Sequence, residues 1–216
     1  MPNYWDVPYP LQGGCSCGLL RYSLSLPPII VHCCHCTACQ RQLGTAFAIN
    51  AVIETSALTF LPPAKPTIAG KPPGPCGVND AFASTTGGVA VPPSTSPDAP
   101  LTPDFITVPT ESQLGQTQVQ CPSCHTTVWN YYCDSGDQST YLRVGTLDTP
   151  WVMDPDVHIF TASRRGFVTI SDGKPQFEGY YPDRRAFYRP DTLERVAALT
   201  EKADAWRAEL KKKLSM

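Results

Sequence analysis

The alternation of apolar and polar positions predicts short strands over much of the first sixty residues. Leu20, Tyr22, Leu24 and Leu26 alternate with polar neighbours at the two-residue period of a half-buried strand. Residues 29–31, 46–53 and 58–61 read as three more strands, and Gly13, Gly14 and Gly18 frame a tight turn between strands. Strand patterning returns at 117–120, 126–132 and 141–147. After Pro190 the period changes to that of a helix, with Leu193, Val196, Ala197, Ala203, Trp206, Leu210 and Leu214 on one stripe. Asp191 is placed to cap this helix, with Glu194 three residues on as its reciprocal partner. The stripe is expected to pack on the sheet body. The pattern therefore predicts a mainly β chain of antiparallel sheets with a C-terminal α-helix.

Residues 62–109 break the pattern. Twelve of the 23 prolines lie there, and because proline has no N–H to donate, a central strand is excluded over most of the stretch. It is expected to be a long Pro-rich insertion, either a tolerated surface loop or a lid or pocket wall. The length of 216 residues suits one domain spanning 1–216 with that insertion inside it.

Composition narrows the function classes. Hydrophobic residues make up 42 %, enough for a packed core. A net charge of -2 and a pI near 6.1 give no electrostatic footprint for nucleic acid, so no nucleic-acid partner is expected. The one basic run, Lys211, Lys212 and Lys213, ends the predicted helix, where it complements the helix dipole. No apolar run reaches the roughly 20 residues of a membrane span, and the first residues lack the pattern of a secretory signal. Ten cysteines in that setting indicate metal binding in a reducing compartment, with the cytoplasm as the expected location.

Seven of those cysteines fall into three clusters: Cys15 and Cys17, then Cys34, Cys36 and Cys39, then Cys121 and Cys124. Zinc usually takes four such ligands. The pairs Cys15/Cys17 and Cys121/Cys124 together make one closed site that would staple the N-terminal strands to the later ones. Cys34, Cys36 and Cys39 leave a fourth corner open, the pattern of zinc that does chemistry. Two zinc ions are expected, one structural and one catalytic. Cys33, Cys36 and Cys39 form a competing register. His35 is either a ligand or proton shuttle, or points away and bonds to backbone. Cys76 and Cys133 match no ligand spacing and read as free thiols, with Cys133 buried beside Trp129 and Tyr131. His32, His125 and His158 stand alone, and His158 is expected to be a satisfied structural histidine.

The segment Gly14–Gly18 with Arg21 and Tyr22, the run from Cys34 to Arg41 with Gly44, and Cys121–Cys124 together resemble the glutathione-dependent formaldehyde-activating enzyme family, which also includes centromere protein V. Residues 144–148 and 155–159 resemble its C-terminal half. The resemblance implies a zinc-bound β-tent fold and the same two zinc sites. It also implies carbon–sulfur lyase chemistry, the reversible addition of glutathione to formaldehyde. The chain departs from the family in having His125 where glycine usually follows the last zinc cysteine, and in the 62–109 insertion. Three readings follow: a zinc-dependent lyase acting on a thiol or glutathione adduct of an aldehyde; a zinc enzyme (lyase, dehydratase, cyclase or hydrolase) acting on a larger metabolite without glutathione; and a non-catalytic zinc interaction module. For the first, a small-molecule substrate is expected, with glutathione as the candidate, and His35, Thr37, Gln40 and Arg41 are the candidate substrate-positioning residues beside the open zinc.

Overall fold

The computed structural model describes residues 3–64, 101–110 and 115–214. Most of the expected insertion, Cys76 among it, lies outside the described residues.

Among the described residues, ten strands form two sheets. The smaller has β1 (Leu11–Gly14), β2 (Arg21–Leu24) and β5 (Leu58–Leu61), all antiparallel. The larger runs in the order β10-β3-β4-β9-β8-β7-β6. Its members are β3 (Ile30–Cys34), β4 (Ala48–Glu54), β6 (Asp104–Val108), β7 (Gln116–Gln120), β8 (Thr127–Tyr132), β9 (Ser139–Arg143) and β10 (Val157–Ile159). One pairing departs from the expected antiparallel arrangement. β10 lies parallel to β3, with His158 opposite Cys33 and Ile159 opposite Cys34.

The two sheets meet through aromatic side chains. The Trp129 ring packs edge-on to Tyr22, with centroids 5.6 Å apart, and stacks on Phe60 at 5.1 Å. Leu20, Leu24, Val31, Ala51, Ile53, Val119 and Leu142 complete this core. A second cluster, built on Ile29, Ile30, Ala48, Val157 and Ile159, is covered by Tyr181, Phe187 and the C-terminal helix α2 (Leu193–Leu214). β3 and β4 are thus apolar on both faces, which is why their sequences run hydrophobic rather than alternate.

Arg21 and Asp148 tie the small sheet to the segment after β9 by a bidentate ion pair, Nη1 to Oδ1 at 2.8 Å. Both side chains are largely buried, at 4 % and 16 % exposed. Asp148→Ala leaves the guanidinium buried without its partner and is expected to cost about 3–5 kcal/mol, read by urea denaturation.

Four local expectations are corrected. Residues 104–108, placed in the insertion, form the strand β6; Pro103 and Pro109 bracket it, and it sits at the sheet edge, where a missing N–H is tolerated. A short helix, α1 (Thr37–Leu43), lies inside the second cysteine cluster, so the C-terminal helix is not alone. Asp191 does not form the capping box: its carboxylate is held by Arg189 at 2.7 and 2.6 Å, and a 3₁₀ turn (Pro190–Thr192) leads into α2. On α2, Val196, Leu199 and Ala203 face the second cluster or its cavity, whereas Leu193, Ala197 and Trp206 are exposed. α2 is further anchored by Arg195, whose guanidinium donates to both Glu54 oxygens at 2.6 Å, and by the Trp206 indole N–H on the Cys133 carbonyl.

Candidate functional site

The first and last cysteine pairs come together from turns 104 residues apart. The ligand atoms of Cys15, Cys17, Cys121 and Cys124 lie within 4.8 Å of one another. Cys15 and Cys17 Sγ are 3.4 Å apart, and Cys17 and Cys121 Sγ are 3.7 Å apart. Four sulfurs at tetrahedral corners about 2.3 Å from zinc would be roughly 3.8 Å apart, so the quartet has the dimensions of a closed thiolate site. Each pair sits on a turn that makes this possible. Gly18, at φ 80°, returns the chain so that its N–H meets the Cys15 carbonyl. In the other turn His125 adopts φ 57°, the left-handed conformation glycine favours, and its N–H donates to the Cys121 carbonyl. The departure from glycine therefore leaves the turn in place. Burial opposes ionisation of Cys124, but hydrogen bonds from the Thr126 hydroxyl and from the backbone N–H groups of Thr126 and Cys17 lower its thiol to about 6.

Cys34, Cys36 and Cys39 form the second group, again with sulfurs within 4.8 Å. Cys34 ends β3, Cys36 is the N-cap of α1, and Cys39 lies one turn into that helix. As N-cap, the Cys36 sulfur accepts the Cys39 N–H at 3.4 Å. Hydrogen bonds from the Cys34 and Cys39 thiols, with the N–H groups of Cys39 and Ala38, lower the Cys36 thiol to about 2. Cys34 is correspondingly pushed up, by its bonds to Cys36 and Cys39 and by burial. The hydrogen bonds within the cluster thus favour the thiolate at Cys36, and a bound cation is what would hold all three as thiolates.

These thiols form part of the wall of a cavity of about 230 Å³. His32, two residues before Cys34 and on the same face of β3, lines it too, as do Asn50, Tyr132, Tyr141, Tyr180 and Arg184. His32 Nε2 lies 2.8 Å from the Tyr181 hydroxyl, and complete burial, with Arg184 nearby, pushes it down to about 3, so it is neutral at physiological pH. The Arg184 guanidinium carbon lies 5.0 Å from the Tyr180 ring centroid and has no ion pair or hydrogen bond among the described residues.

The four candidate positioning residues do not share that wall. His35 projects to the opposite face of β3, with its Nε2 3.6 Å from Cys33 Sγ and 3.2 Å from His158 Nδ1. It points away from the three thiols, as one reading expected, but its ring bonds to no backbone group. Gln40 pins the backbone, donating to the carbonyls of His35 at 2.7 Å and Ser163 at 2.9 Å. Thr37 and Arg41, with Gln40, line a separate and more open cavity beside Arg165 and Phe167. Strand alternation explains both outcomes: His32 and Cys34 face one way, Cys33 and His35 the other. The competing register of Cys33, Cys36 and Cys39 is therefore not the one brought together; Cys34 takes that place. Cys133 is half-buried rather than buried. The aromatic wall carried no sequence signal, since Tyr132 and Tyr141 meet only across the β8–β9 pairing and Tyr180 joins them from a distant part of the chain.

Fold and site together define a mainly β protein with two thiol clusters of metal-binding geometry, one of them opening onto a cavity. The family model described as glutathione-dependent formaldehyde-activating enzyme matches residues 10–72, bearing out the resemblance over that stretch, which holds Cys15, Cys17, Cys34, Cys36 and Cys39. No curated protein matches the chain. Among the described residues, no helix is long and apolar enough to cross a membrane.

Proposed function

We propose that the chain is a zinc-dependent carbon–sulfur lyase-type enzyme acting on the glutathione adduct of an aldehyde, of the S-hydroxymethylglutathione synthase type. The observation that carries this is the convergence of the Cys34, Cys36 and Cys39 sulfurs on the wall of a cavity. The family match over residues 10–72 supports it. Cys15, Cys17, Cys121 and Cys124 would hold one zinc with no corner left for substrate, and Cys34, Cys36 and Cys39 a second. Zinc bound at the second site would supply the charge that keeps an incoming thiol ionised at neutral pH.

The remaining work falls to the chain. Tyr132, Tyr141 and Tyr180 enclose the reacting sulfur and carbonyl and exclude water, which favours addition of the thiol over hydration of the aldehyde. Arg184 meets a carboxylate of the peptide thiol, and neutral His32 leaves the cavity's positive charge to Arg184. As the carbon–sulfur bond forms, the carbonyl π bond breaks and its oxygen takes up the proton that the thiol gave up on ionising. In reverse the hydroxyl proton returns to the departing thiolate as the carbon–sulfur bond breaks and the carbonyl re-forms. The free thiols suit a reducing compartment, and the cytoplasm is proposed.

Arg184→Ala is expected to raise KM for glutathione about tenfold and to change kcat by less than about twofold, because it removes one charged contact made equally in ground and transition states. Unchanged KM would remove Arg184 from the site.

A second reading has one observation in its favour. The wall of the cavity of about 230 Å³ carries three tyrosines, whose flat rings also suit a flat metabolite on which zinc would polarise a carbonyl. Glutathione would then be irrelevant. A glutathione-dependent change in the absorption of the cobalt-substituted protein would exclude this reading.

A further inference from the structure

Cys33, His35 and His158 form a third group of donors, separate from both thiol clusters. All three are buried, at 3 %, 0 % and 6 % exposed. The parallel pairing of β10 with β3 sets His158 opposite Cys33, and strand alternation puts His35 on the same face. Their ligand atoms lie within 4.8 Å of one another.

The spacing is that of a tetrahedral ion. With zinc–nitrogen bonds of about 2.0–2.1 Å and a zinc–sulfur bond of about 2.3 Å, tetrahedral corners put nitrogens roughly 3.3 Å apart and sulfur roughly 3.6 Å from nitrogen. Here His35 Nε2 and His158 Nδ1 are 3.2 Å apart, and Cys33 Sγ is 3.6 Å from His35 Nε2. Two further observations point the same way. His158 Nε2 lies 2.7 Å from Asp172 Oδ2, the outer carboxylate that typically fixes the tautomer of a metal-binding histidine. His35 is fully buried, and the ring nitrogen that faces the group, Nε2, meets only the Cys33 sulfur and the His158 Nδ1. Three buried donor atoms converging on one another are what a bound ion would satisfy together.

We infer that Cys33, His35 and His158 form a third metal site, for zinc, held by one thiolate and two imidazoles and oriented by Asp172. The mixed sulfur and nitrogen set suits this borderline ion. An ion there clamps β10 to β3 on the face away from the cavity. Asp172, with its side chain 38 % exposed, links this buried group to solvent.

The test is zinc per chain in the full-length protein after saturation with zinc and removal of excess. One ion fewer in both Cys33→Ser and His158→Ala than in the wild type is expected, three falling to two when both thiol clusters are filled. As many ions in either variant as in the wild type would overturn the inference, whatever the wild-type count. Asp172→Asn guards against variants that fail to fold, since it alters a partly exposed side chain. It is expected to release one of the three ions to a chelator about 10–100-fold more readily than the wild type does. An unchanged release profile would overturn the role of Asp172 and, with it, the site as drawn. The Cys36→Ser variant removes a different ion, so failure here leaves the proposed reaction standing.

Discussion

Cys36→Ser is expected to lower turnover of the glutathione–formaldehyde reaction by roughly a thousandfold or more while leaving the chain folded. The two halves of this prediction rest on different properties of one atom. The Cys36 sulfur caps α1 by accepting the Cys39 N–H, and a serine hydroxyl is among the best side chains for that task. The helix and the cavity wall it forms should therefore survive. The same sulfur is the one on which the cluster concentrates its negative charge, and a hydroxyl in its place stays protonated. Two thiols are left to hold the ion. Activity is read by the glutathione-dependent loss of formaldehyde and folding by near-ultraviolet circular dichroism. A folded variant with wild-type turnover would remove the three thiols from the chemistry.

Cys121→Ser is expected to do the opposite, costing the fold first. Cys121 is fully buried and draws a turn between β7 and β8 against the Cys15–Cys17 turn. A structural zinc in a small domain contributes on the order of 10 kcal/mol to folding, comparable to the whole net stability of most domains. Loss of one thiolate should lower stability by about 5 kcal/mol or more, seen as a displaced urea midpoint together with release of zinc. Cys124→Ser is expected to behave the same way. A Cys121→Ser chain as stable as the wild type would show that the quartet is not a structural site.

Much of the fold was legible because it rests on patterns that side chains carry locally. The strand at 58–61 falls where expected, and β4, β7 and β8 lie within two residues of their expected limits. The run 141–147 was read too long because Val144–Thr146 forms a 3₁₀ turn that keeps the apolar spacing. α1 escaped notice because its seven residues are too few to show a helical period and its N-cap is a cysteine. The thiol clusters were legible because ligand spacing is itself local. The candidates His35, Thr37, Gln40 and Arg41 were chosen for closeness in sequence, but alternation along β3 and the turn into α1 aim them elsewhere. The aromatic wall of the cavity was not legible, since Tyr180 reaches the β8–β9 pair of Tyr132 and Tyr141 only through tertiary packing. Nor was the group around His158, which lies 123 residues from His35 and reaches it only through a parallel strand pair.

The central claim is that Cys34, Cys36 and Cys39 hold a zinc ion of their own. Zinc per chain, measured in parallel on wild-type and Cys36→Ser protein purified without added metal, tests it most directly. One ion fewer is expected in the variant, with the remaining zinc still bound. Equal zinc in the two proteins would contradict it.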